Sequence, residues 1–537
     1  MKLRTTNIQK LRQGIFDVLV LGGGINGALA AAVLAARGAK VALIDRGDFA
    51  GVTSSQSSNL AWGGIKYLES YDLLLVRKLC RARNALIRAY PSTVQEIRFL
   101  ATHQRDFRYP RWLLVLGSWL YWLLGSFFTR RPRALSLKDI QREEPIVALT
   151  GCDGGFEYSD AFLHDNDARF VFGFVRSALN YGCVAANYVE SLGGGRDADG
   201  IWTVPARDVE GGEQFTIRAR VLINACGPWV DAHNQATGQQ TRHRHVLSKG
   251  IHLLVRRLTP HRRVLAFFAS DGRLFFVIPM GPCTCIGTTD TPVSSPDVEV
   301  TDEDRDFVLD NINRLLQLPE PLTRADVIAE RVGVRPLVVD ERGGQGRDWT
   351  HLSRKHVVEV NAADRHLSIF GGKLTDCLNV GEEVSALVQE LGVALPFPRA
   401  RWFGEPPAEV RDEFFHQARL LDLDAATSPT SSEPLSQRLW RRYGAEAIPM
   451  LEAIRADPRM GELLIEGAEY IRAELEQTAR REMVVKLEDF LRRRSKISLV
   501  IGREELRAAS GLHEACRILF GERAEEKLAD YFRTTGG

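Results

Sequence analysis

The stretch from Asp17 to Asp45 reads DVLVLGGGINGALAAAVLAARGAKVALID, and it decides the fold of the region around it. An apolar run leads into a glycine-rich turn at 22–27, an Ala- and Leu-rich helical segment follows, and a second apolar run ends at the aspartate. This order predicts a strand, a helix and a second strand arranged around a dinucleotide. The free N–H groups at the start of such a helix bind a pyrophosphate.

Each polar or glycine position of this stretch has an expected part in binding. Gly22 allows the tight turn, Gly24 lets the backbone approach the pyrophosphate, and Gly27 lets the helix pack on the strand. Asn26 lies in the same turn, and Asp45 stands where a carboxylate accepts hydrogen bonds from the adenosine ribose. A glycine-rich turn by itself also occurs as an empty structural turn. Here strand, helix, second strand and acid occur together, which favours dinucleotide binding.

The length and composition of the chain limit the classes of protein to which it can belong. A chain of 537 residues is too long for one compact core and predicts two or three domains. The net charge of +2 gives no reason to expect nucleic-acid binding, which usually requires a large basic excess. The eight cysteines form no CxxC pair, and the N-terminus lacks a secretory signal pattern, so we expect reduced thiols in the cytosol. Neither the cysteines nor the histidines have a metal-ligand spacing, and no metal is predicted.

One segment differs from the rest in its composition. Residues 112–128 read WLLVLGSWLYWLLGSFF, without a charged residue and with three tryptophans. The run is slightly short for a membrane span and is interrupted by glycine and serine. It fits an element in the membrane interface, and a buried core helix is the alternative. The basic clusters at 130–133 and 492–496 are candidates for contacts with acidic lipid headgroups, or are solvated surfaces.

The order of the remaining segments predicts a chain that returns to its first domain. Buried strands running into glycine turns recur near Val221 and Ser368, which indicates a dinucleotide-binding domain assembled from 1–100, 160–245 and 325–395. A second, α+β domain is expected at 101–159 and 246–324, facing substrate and membrane. From 396 to 537 the apolar residues have helical spacing, which predicts an all-helical domain.

Both NAD and FAD use a glycine turn of this kind, so the choice depends on the segment after Asp45. Its residues read RGDFAGVTSSQSSNLAWGGIKYLE. Small hydroxyl side chains followed by paired glycines suit a backbone wrapped around a diphosphate and a flat flavin ring, although a generic serine-rich loop is an alternative. The candidate cofactor contacts in this segment are Thr53, Ser54, Ser55, Ser58, Gly63 and Gly64.

Motifs along nearly the whole chain resemble those of the FAD-dependent glycerol-3-phosphate dehydrogenases. The matching pieces are LGGGINGA at 21–28, GDFAGVTSSQSS at 47–58, GGIKYLES at 63–70, HDNDARFV at 164–171, INACGPWVD at 223–231, FVIPMGPCTCIGTTDTP at 276–292, VGVRPL at 332–337, SRKHVV at 353–358, FGGKLT at 370–375 and REMVVKLEDFLRRR at 481–494. The resemblance implies an α/β fold, with a Rossmann-like FAD-binding domain, an interleaved α+β substrate domain and a C-terminal helical domain.

The resemblance also assigns expected roles to individual residues. Arg335 and Arg354 would surround the phosphate of the substrate, because guanidinium groups keep their charge in a partly dry site. Lys66 and Tyr67 would lie at the flavin face, and Lys373 with Thr375 would face the substrate hydroxyl. Further cofactor contacts are expected at Val189, Gly227, Gly372 and Leu374.

The chain departs from the family pattern near the substrate. Family members usually carry histidine where this chain has Trp62, arginine at Lys66 and lysine at Asn59, and the usual Thr-Thr-Tyr-Arg becomes Thr-Asp-Cys-Leu from Thr375. A tryptophan cannot accept a proton as a histidine can. A lysine binds a phosphate through one ammonium group, whereas an arginine can donate two parallel hydrogen bonds to it. These changes leave the flavin site intact and put the identity of the substrate in question; Asp376 is the new carboxylate among them.

The function implied is oxidation of sn-glycerol 3-phosphate to dihydroxyacetone phosphate, by hydride transfer to flavin N5 and electron transfer to a quinone. The enzyme would lie on the cytoplasmic side of the inner membrane as a peripheral protein, and a homodimer is left open. Three alternatives remain: a flavin-dependent dehydrogenase or oxidase of another hydroxy acid or amine, a non-catalytic flavoprotein that binds a partner, and a nicotinamide-dependent dehydrogenase.

Overall fold

The computed structural model describes residues 3–268, 273–340, 355–429 and 431–534. Its strands are β1 (Ile15–Leu21), β2 (Val41–Ile44), β3 (Leu60–Ala61), β4 (Val94–Gln104), β5 (Arg133–Leu135), β6 (Cys152–Leu163), β7 (Val184–Ala186), β8 (Val189–Ser191), β9 (Gly195–Arg196), β10 (Trp202–Asp208), β11 (Gln214–Asn224), β12 (His243–Arg256), β13 (Arg263–Phe268), β14 (Leu274–Met280), β15 (Cys283–Gly287), β16 (Thr291–Val293), β17 (Ala329–Asp340), β18 (Val357–Asn361) and β19 (His366–Phe370).

The α-helices are interspersed among the strands up to β19 and then follow one another. They are α1 (Leu3–Leu11), α2 (Ile25–Ala36), α3 (Leu73–Ala89), α4 (Arg111–Leu124), α5 (Leu137–Glu143), α6 (Asp167–Asn180), α7 (Val230–Ala236), α8 (Asp302–Leu315), α9 (Cys377–Glu390), α10 (Ala408–Leu420), α11 (Leu435–Tyr443), α12 (Ile448–Ala456), α13 (Arg472–Arg481), α14 (Ile497–Val500), α15 (Arg503–Ala508), α16 (Gly511–Phe520) and α17 (Ala524–Thr534).

The first sheet contains the predicted strand, helix and strand. Its main order is β18-β19-β11-β1-β2-β7, and β1 pairs in parallel with both β2 and β11. Helix α2 is buried from Gly27 to Ala36, because its small side chains let it fit between the sheet, α6 and α9. The βαβ unit predicted from the glycine turn is therefore confirmed.

The second sheet is mostly antiparallel and has the order β16-β12-β15-β14-β13-β4-β6-β3, with β17 paired to β12 along its whole length. Strand β17 begins at Ala329, inside the range 325–395 that was predicted to belong to the dinucleotide-binding domain. The assignment of this strand was wrong, because long-range pairing with β12 decides which sheet it joins. The paired strands bring one face of β17 against the loop at 53–59.

Residues 112–128 form helix α4 and the turn that follows it. Ser118 and Tyr121 are buried, whereas the opposite face exposes large apolar side chains. The exposed side chains are Trp112, Leu113, Leu116, Trp119, Leu123 and Phe127. The alternative of a fully buried core helix is therefore wrong. Among the described residues, no helix has the length and hydropathy needed to cross a membrane.

The described elements after residue 396 are helical, as predicted, but they are tied closely to the first sheet domain. A π-helical segment, Asp489–Arg494, places Arg493 and Arg494 against the buried carboxylate of Asp48, at 2.7 and 2.8 Å. Arg494 is only 1% exposed. The prediction of this basic cluster as a lipid-facing or solvated surface was wrong, because its charges compensate a buried carboxylate beside the cofactor loop.

Candidate active site

The glycine turn forms a cradle with no room for side chains. A Cβ at Gly22, where φ is +92°, would lie 2.5 Å from the carbonyl oxygen of Ala225, and a Cβ at Gly27 would lie 1.8 Å from the oxygen of Gly22. Gly24 precedes the first turn of α2, and the Ile25 N–H donates to Ser54 Oγ at 2.9 Å. The helix N-terminus and the hydroxyl loop therefore meet where a pyrophosphate is expected.

The hydroxyl loop connects this cradle to the second sheet. Thr53 Oγ1 donates to the carbonyl oxygen of Val334 on β17 at 2.8 Å, and Ser55 Oγ donates to Val52 O at 2.9 Å within the loop. Ser58 is half-buried in the same loop. Of the predicted loop contacts, Ser54 is the one that the structure places at the start of α2.

Asp45 lies at the end of β2, as the dinucleotide fold requires. Its carboxylate accepts hydrogen bonds from the N–H groups of Gly23 at 2.6 Å and Gly47 at 2.8 Å. Burial raises the pKa of Asp45 to about 6, although these two hydrogen bonds act to lower it. The Val189 N–H donates to the backbone oxygen of Asp45 at 2.7 Å, so the predicted Val189 position borders the ribose site.

Two further turns close around the cradle. Gly227, with φ +57°, follows the carboxyl end of β11, two residues after Ala225, whose carbonyl oxygen lies against Gly22. Gly372 has φ +105°, and the preceding Gly371 carbonyl accepts from Asn26 Nδ2 at 2.9 Å. Leu374 packs against the core of the first sheet domain. The late FGGK segment is thereby joined to the first glycine turn.

Three of the predicted substrate-side residues, Tyr67, Lys373 and Thr375, lie at or against the turn that follows Gly372. Lys373 Nζ lies 4.0 Å from the ring centre of Tyr67 and 5.9 Å from that of Trp62, which is a cation–π arrangement. Thr375 is buried, and its Oγ1 donates to the carbonyl oxygen of Trp62 at 3.1 Å. The segments at 62–67 and 373–375 are therefore fixed against each other.

A pocket of about 270 Å³ opens beside Lys373. It is lined by Tyr67, Leu74, Leu75, Lys78, Leu79, Lys355, Lys373 and Asp376. Lys66 is exposed on the turn Ile65–Leu68 and is not among these lining residues. Arg354 lies outside the described residues, so its predicted contact with phosphate stays a prediction.

Arg335 lies on β17, four residues after the buried Arg331, and therefore on the same face of the strand. Its guanidinium donates to Thr288 Oγ1 at 2.8 Å and to the carbonyl oxygen of Thr289 at 3.1 Å, and it lies 3.3 Å from the carboxylate of Asp290. Hydrogen bonds on two sides fix its orientation. A fixed guanidinium on this face is suited to hold a phosphate.

Sequence reasoning missed a histidine on the same sheet face. His252 of β12 pairs in register with Arg331 and is buried, and neither ring nitrogen has a hydrogen-bond partner among the described residues. Burial, followed by the nearby Arg335 and Arg331 charges, lowers the pKa of His252 to about 3. A histidine inside the apolar run GIHLLV was the available sequence signal. Its neutral ring has one N–H that can donate a hydrogen bond to a bound ligand and one nitrogen that can accept a hydrogen bond from it.

A second missed group lies at the edge of the pocket. His356 Nδ1 is 2.7 Å from Asp376, and His356 Nε2 is 2.7 Å from Glu383. Burial lowers the pKa of His356, but hydrogen bonds to Asp376 and Glu383 outweigh it and raise the pKa above its usual value. No sequence motif indicates this chain of groups, because its members come from the start of β18, the 374–376 turn and α9.

The residues present fit FAD. The turn around Gly22 and Gly27 leaves only backbone at the phosphate position, Asp45 is placed for the ribose, and the cradle continues through the 53–58 loop to the turn of Gly372. A nicotinamide dinucleotide would leave the loop and the late glycine turn without a role.

Comparison with known proteins agrees with this geometry. The sequence pattern of the family described as FAD dependent oxidoreductase matches residues 17–366, and that of the C-terminal domain of alpha-glycerophosphate oxidase matches residues 412–526. The glycerol-3-phosphate dehydrogenase of Pseudomonas aeruginosa is 31% identical over 494 residues, which cover 91% of this chain and 93% of that protein. The D-erythritol 1-phosphate dehydrogenase of Brucella abortus is also 31% identical, over 492 residues that cover 89% of this chain and 94% of that protein.

A solved structure extends the likeness to the whole fold. The glycerol-3-phosphate dehydrogenase of Bacillus halodurans, complexed with FAD, superposes with a TM-score of 0.73 at 25% identity, covering 99% of this chain and 97% of that one. FAD is the cofactor of this fold. The chain therefore belongs to the FAD-dependent oxidoreductases, in the family of the FAD-dependent glycerol-3-phosphate dehydrogenases.

Proposed function

We propose that the protein oxidises the secondary alcohol of a small phosphorylated polyol to a ketone, with sn-glycerol 3-phosphate to dihydroxyacetone phosphate as the reference reaction. The observation that carries this proposal is the meeting of Lys373, Tyr67 and Trp62 at the turn that borders the cofactor cradle. The two similar proteins described above, a glycerol-3-phosphate dehydrogenase and a D-erythritol 1-phosphate dehydrogenase, support the proposal, because both are named for the oxidation of a polyol phosphate.

Two positively charged side chains have different roles in the proposed reaction. Arg335 is oriented by Thr288, Thr289 and Asp290 and holds the phosphate. The hydroxyl proton passes to solvent water at the open side of the pocket, and Lys373 stabilises the negative charge that develops on the reacting oxygen, because an ammonium group at this position needs no reorganisation. Bound FAD supplies the hydride acceptor, at N5 of its flavin ring.

Aromatic side chains limit the approach of water. Trp62 packs edge-on against Phe276, with ring centres 6.4 Å apart, and its Nε1–H donates to Tyr158 OH at 3.4 Å. Together with Tyr67, it covers one side of Lys373. A drier surrounding strengthens the attraction between the ammonium group and an oxyanion.

The test is anaerobic absorbance of the purified protein in the oxidised-flavin band, before and after addition of glycerol 3-phosphate or another polyol phosphate. Bleaching by one of them is the expected result. A protein that binds FAD and is bleached by no polyol phosphate would contradict the proposal and favour a non-catalytic flavoprotein.

We further propose that helix α4 rests on a membrane surface and that electrons pass to a quinone dissolved in it. Trp112, Leu116, Trp119 and Leu123 are exposed at helical spacing, and all are apolar. Burying such side chains in lipid removes apolar surface from water. A neighbouring pocket is lined by Arg98, Arg130, Arg131, Arg133, Glu157 and Arg263, and Glu157 pairs with Arg98, Arg133 and Arg263. The charges of Arg130 and Arg131 favour an anionic, cytoplasmic-facing leaflet of the inner membrane.

The membrane proposal is tested by replacing Trp112 and Trp119 with serine and measuring recovery in the membrane fraction. We expect the variant to shift to the soluble fraction. Tyr181→Ser is the matched control, because Tyr181 is 48% exposed elsewhere on the molecule. Equal membrane recovery of all three proteins would contradict the role of α4.

A further inference from the structure

We propose that the pocket beside Lys373 binds the hydroxyl chain of a polyol phosphate longer than glycerol 3-phosphate, and that Asp376 is the residue that selects it. This inference rests on the proposed function and names its substrate class. Only one hydroxymethyl group of glycerol 3-phosphate extends past the reacting carbon, on the side away from the phosphate. A longer polyol carries additional hydroxyl-bearing carbons in that direction.

The pocket lies between the turn at Lys373 and helix α3. Lys373 and Tyr67 form one side, and α3 supplies Leu74, Leu75, Lys78 and Leu79, of which Leu79 is buried. Apolar side chains of this kind cover the C–H surface of a carbon chain. Asp376 is the only carboxylate among the described residues that line the pocket.

The hydrogen bonds of Asp376 leave it as an acceptor for a ligand. Its side chain is 7% exposed, Oδ1 accepts from Asn379 Nδ2 at 2.6 Å, and Oδ2 lies 2.7 Å from His356 Nδ1 and 3.3 Å from Lys78 Nζ. A carboxylate offers about four lone-pair positions, so these three contacts leave room for one more donor. Burial raises the pKa of Asp376, but hydrogen bonds from His356 and Asn379 outweigh it and lower the pKa, which keeps the group ionised. A ligand hydroxyl is a donor that this remaining position can bind.

The lining of the pocket contains Lys78, Lys355 and Lys373 as well as Asp376, and only the position beside the Asp376 carboxylate favours a hydroxyl group over a phosphate. Lys78 is paired with Asp376, and Lys355 is paired with Asp72 at 3.2 Å. A phosphate placed beside the Asp376 carboxylate would be repelled by it. We place the phosphate at Arg335, on the second sheet, where Thr288 and Thr289 fix the guanidinium, and the uncharged hydroxyl end in the pocket beside Asp376.

Sequence identity does not choose between the two substrate lengths. The glycerol-3-phosphate dehydrogenase of Pseudomonas aeruginosa and the D-erythritol 1-phosphate dehydrogenase of Brucella abortus are both 31% identical to this chain. The choice must come from residues at the pocket. Asp376 is the carboxylate that the described lining of this pocket provides.

The experiment compares anaerobic flavin reduction by glycerol 3-phosphate and by D-erythritol 1-phosphate, using the FAD-loaded full chain. The measured quantities are the limiting rate and the half-saturating concentration for each compound. We expect D-erythritol 1-phosphate to be at least about tenfold more efficient, since one hydrogen bond to a charged group contributes at least that factor.

Variants locate the preference at the carboxylate. Asp376→Asn and Asp376→Thr should each lower the ratio of efficiencies, erythritol to glycerol compound, by about 10- to 100-fold. Glu383→Gln is the matched control, because Glu383 contacts the same histidine but does not line the pocket, and it should leave the ratio unchanged. Two different replacements guard against a folding defect in one of them, and retained FAD absorbance shows that each variant is folded.

The outcomes separate this inference from the function on which it rests. A wild-type preference for glycerol 3-phosphate would overturn the longer substrate and leave the proposed function intact. An unchanged ratio in both Asp376 variants would overturn the selecting role of this residue. A flavin that is reduced by neither compound nor by any other polyol phosphate would overturn the proposed function itself.

Discussion

The two ends of the candidate site are built in different ways. At the cofactor end, Gly22, Gly24, Gly27 and Asp45 come from one short stretch, and the contacts are made largely by backbone groups. At the substrate end, the groups are side chains from segments far apart in sequence, and they meet only because the late turn at 373–376 packs against the 62–67 segment.

This difference determines which substitutions each end tolerates. A backbone cradle depends on the absence of side chains, so almost any substitution at its close contacts displaces a whole helix or strand. A side-chain pocket depends on the identity of a few charged groups, and substitution there changes chemistry while the fold remains. The cofactor end should therefore fail by losing FAD, and the substrate end by losing rate or specificity.

The largest effect is expected from Gly27→Val. Because a Cβ at this position would lie 1.8 Å from the oxygen of Gly22, helix α2 cannot keep its distance from the turn. We expect protein without bound flavin, measured as the ratio of visible to ultraviolet absorbance after purification. Gly173→Ala in α6 is the control, since no heavy atom lies within 4 Å of the added Cβ. Retained flavin in the valine variant would show that the cradle is not the cofactor site.

Lys373→Met should affect the substrate end of the site without affecting the cofactor end. The methionine keeps an apolar stem beside Tyr67 and removes the charge, so we expect FAD to stay bound and the rate of flavin reduction to fall by about 10²- to 10³-fold. Lys66→Met is the comparison, because Lys66 is exposed and does not line the pocket; its effect should be much smaller. Equal losses of rate in the two variants would contradict this difference between the lysines. Lys66 would then also contribute directly to flavin reduction.

Asp48→Asn tests a tertiary contact that supports the cofactor end. It removes the carboxylate that Arg493 and Arg494 share, which leaves Arg493 paired with Asp489 and Arg494 with no carboxylate closer than Glu482 at 4.0 Å. Breaking a buried pair in this way costs about 3–5 kcal/mol. We expect that loss in the free energy of unfolding, measured by urea titration of the FAD-loaded protein. Arg480→Ala, which removes a surface pair with Glu476, should cost at most about 1 kcal/mol. Similar losses in the free energy of unfolding of the two variants would show that the buried ion pair contributes no more to stability than the surface pair.

The smallest expected effect is the pH dependence caused by Asp45. Burial raises its pKa from 3.8 to about 6 in the cofactor-free protein, so between these values the folded chain holds a proton that the unfolded chain has released. Its contribution to the stability of the cofactor-free fold therefore decreases as pH rises through this window. FAD requires the ionised carboxylate as acceptor, so its affinity should fall below about pH 6, by at most about tenfold per pH unit.

Fluorescence titration of the cofactor-free protein with FAD measures this dependence. Asp45→Asn is the matched variant, because it keeps the size of the side chain and cannot ionise. Its FAD affinity should be lower than that of the wild type at neutral pH and nearly constant between about pH 5 and pH 8. A wild-type affinity that is equally constant would assign the ribose contact to another group.

The predictions made from sequence succeeded where local rules apply. The strand, helix and strand from 15 to 44 could be predicted because glycine spacing and apolar runs fix them locally. Failures occurred where partners are distant. The basic run at Arg492–Arg494 has the composition of a surface, and only its packing against Asp48 shows it to be buried. Strand β17 likewise has no local signal for the sheet that it joins.

The sequence by itself determined the dinucleotide cradle, the cofactor class and the helical character of the last part of the chain, because these depend on glycine positions, residue spacing and motifs in one order. Only the tertiary structure decided that Asp376 faces the pocket beside Lys373, that His356 fixes it, and that Lys66 does not line the pocket. The physical reason is that contacts between side chains from distant segments depend on how the sheets and helices pack.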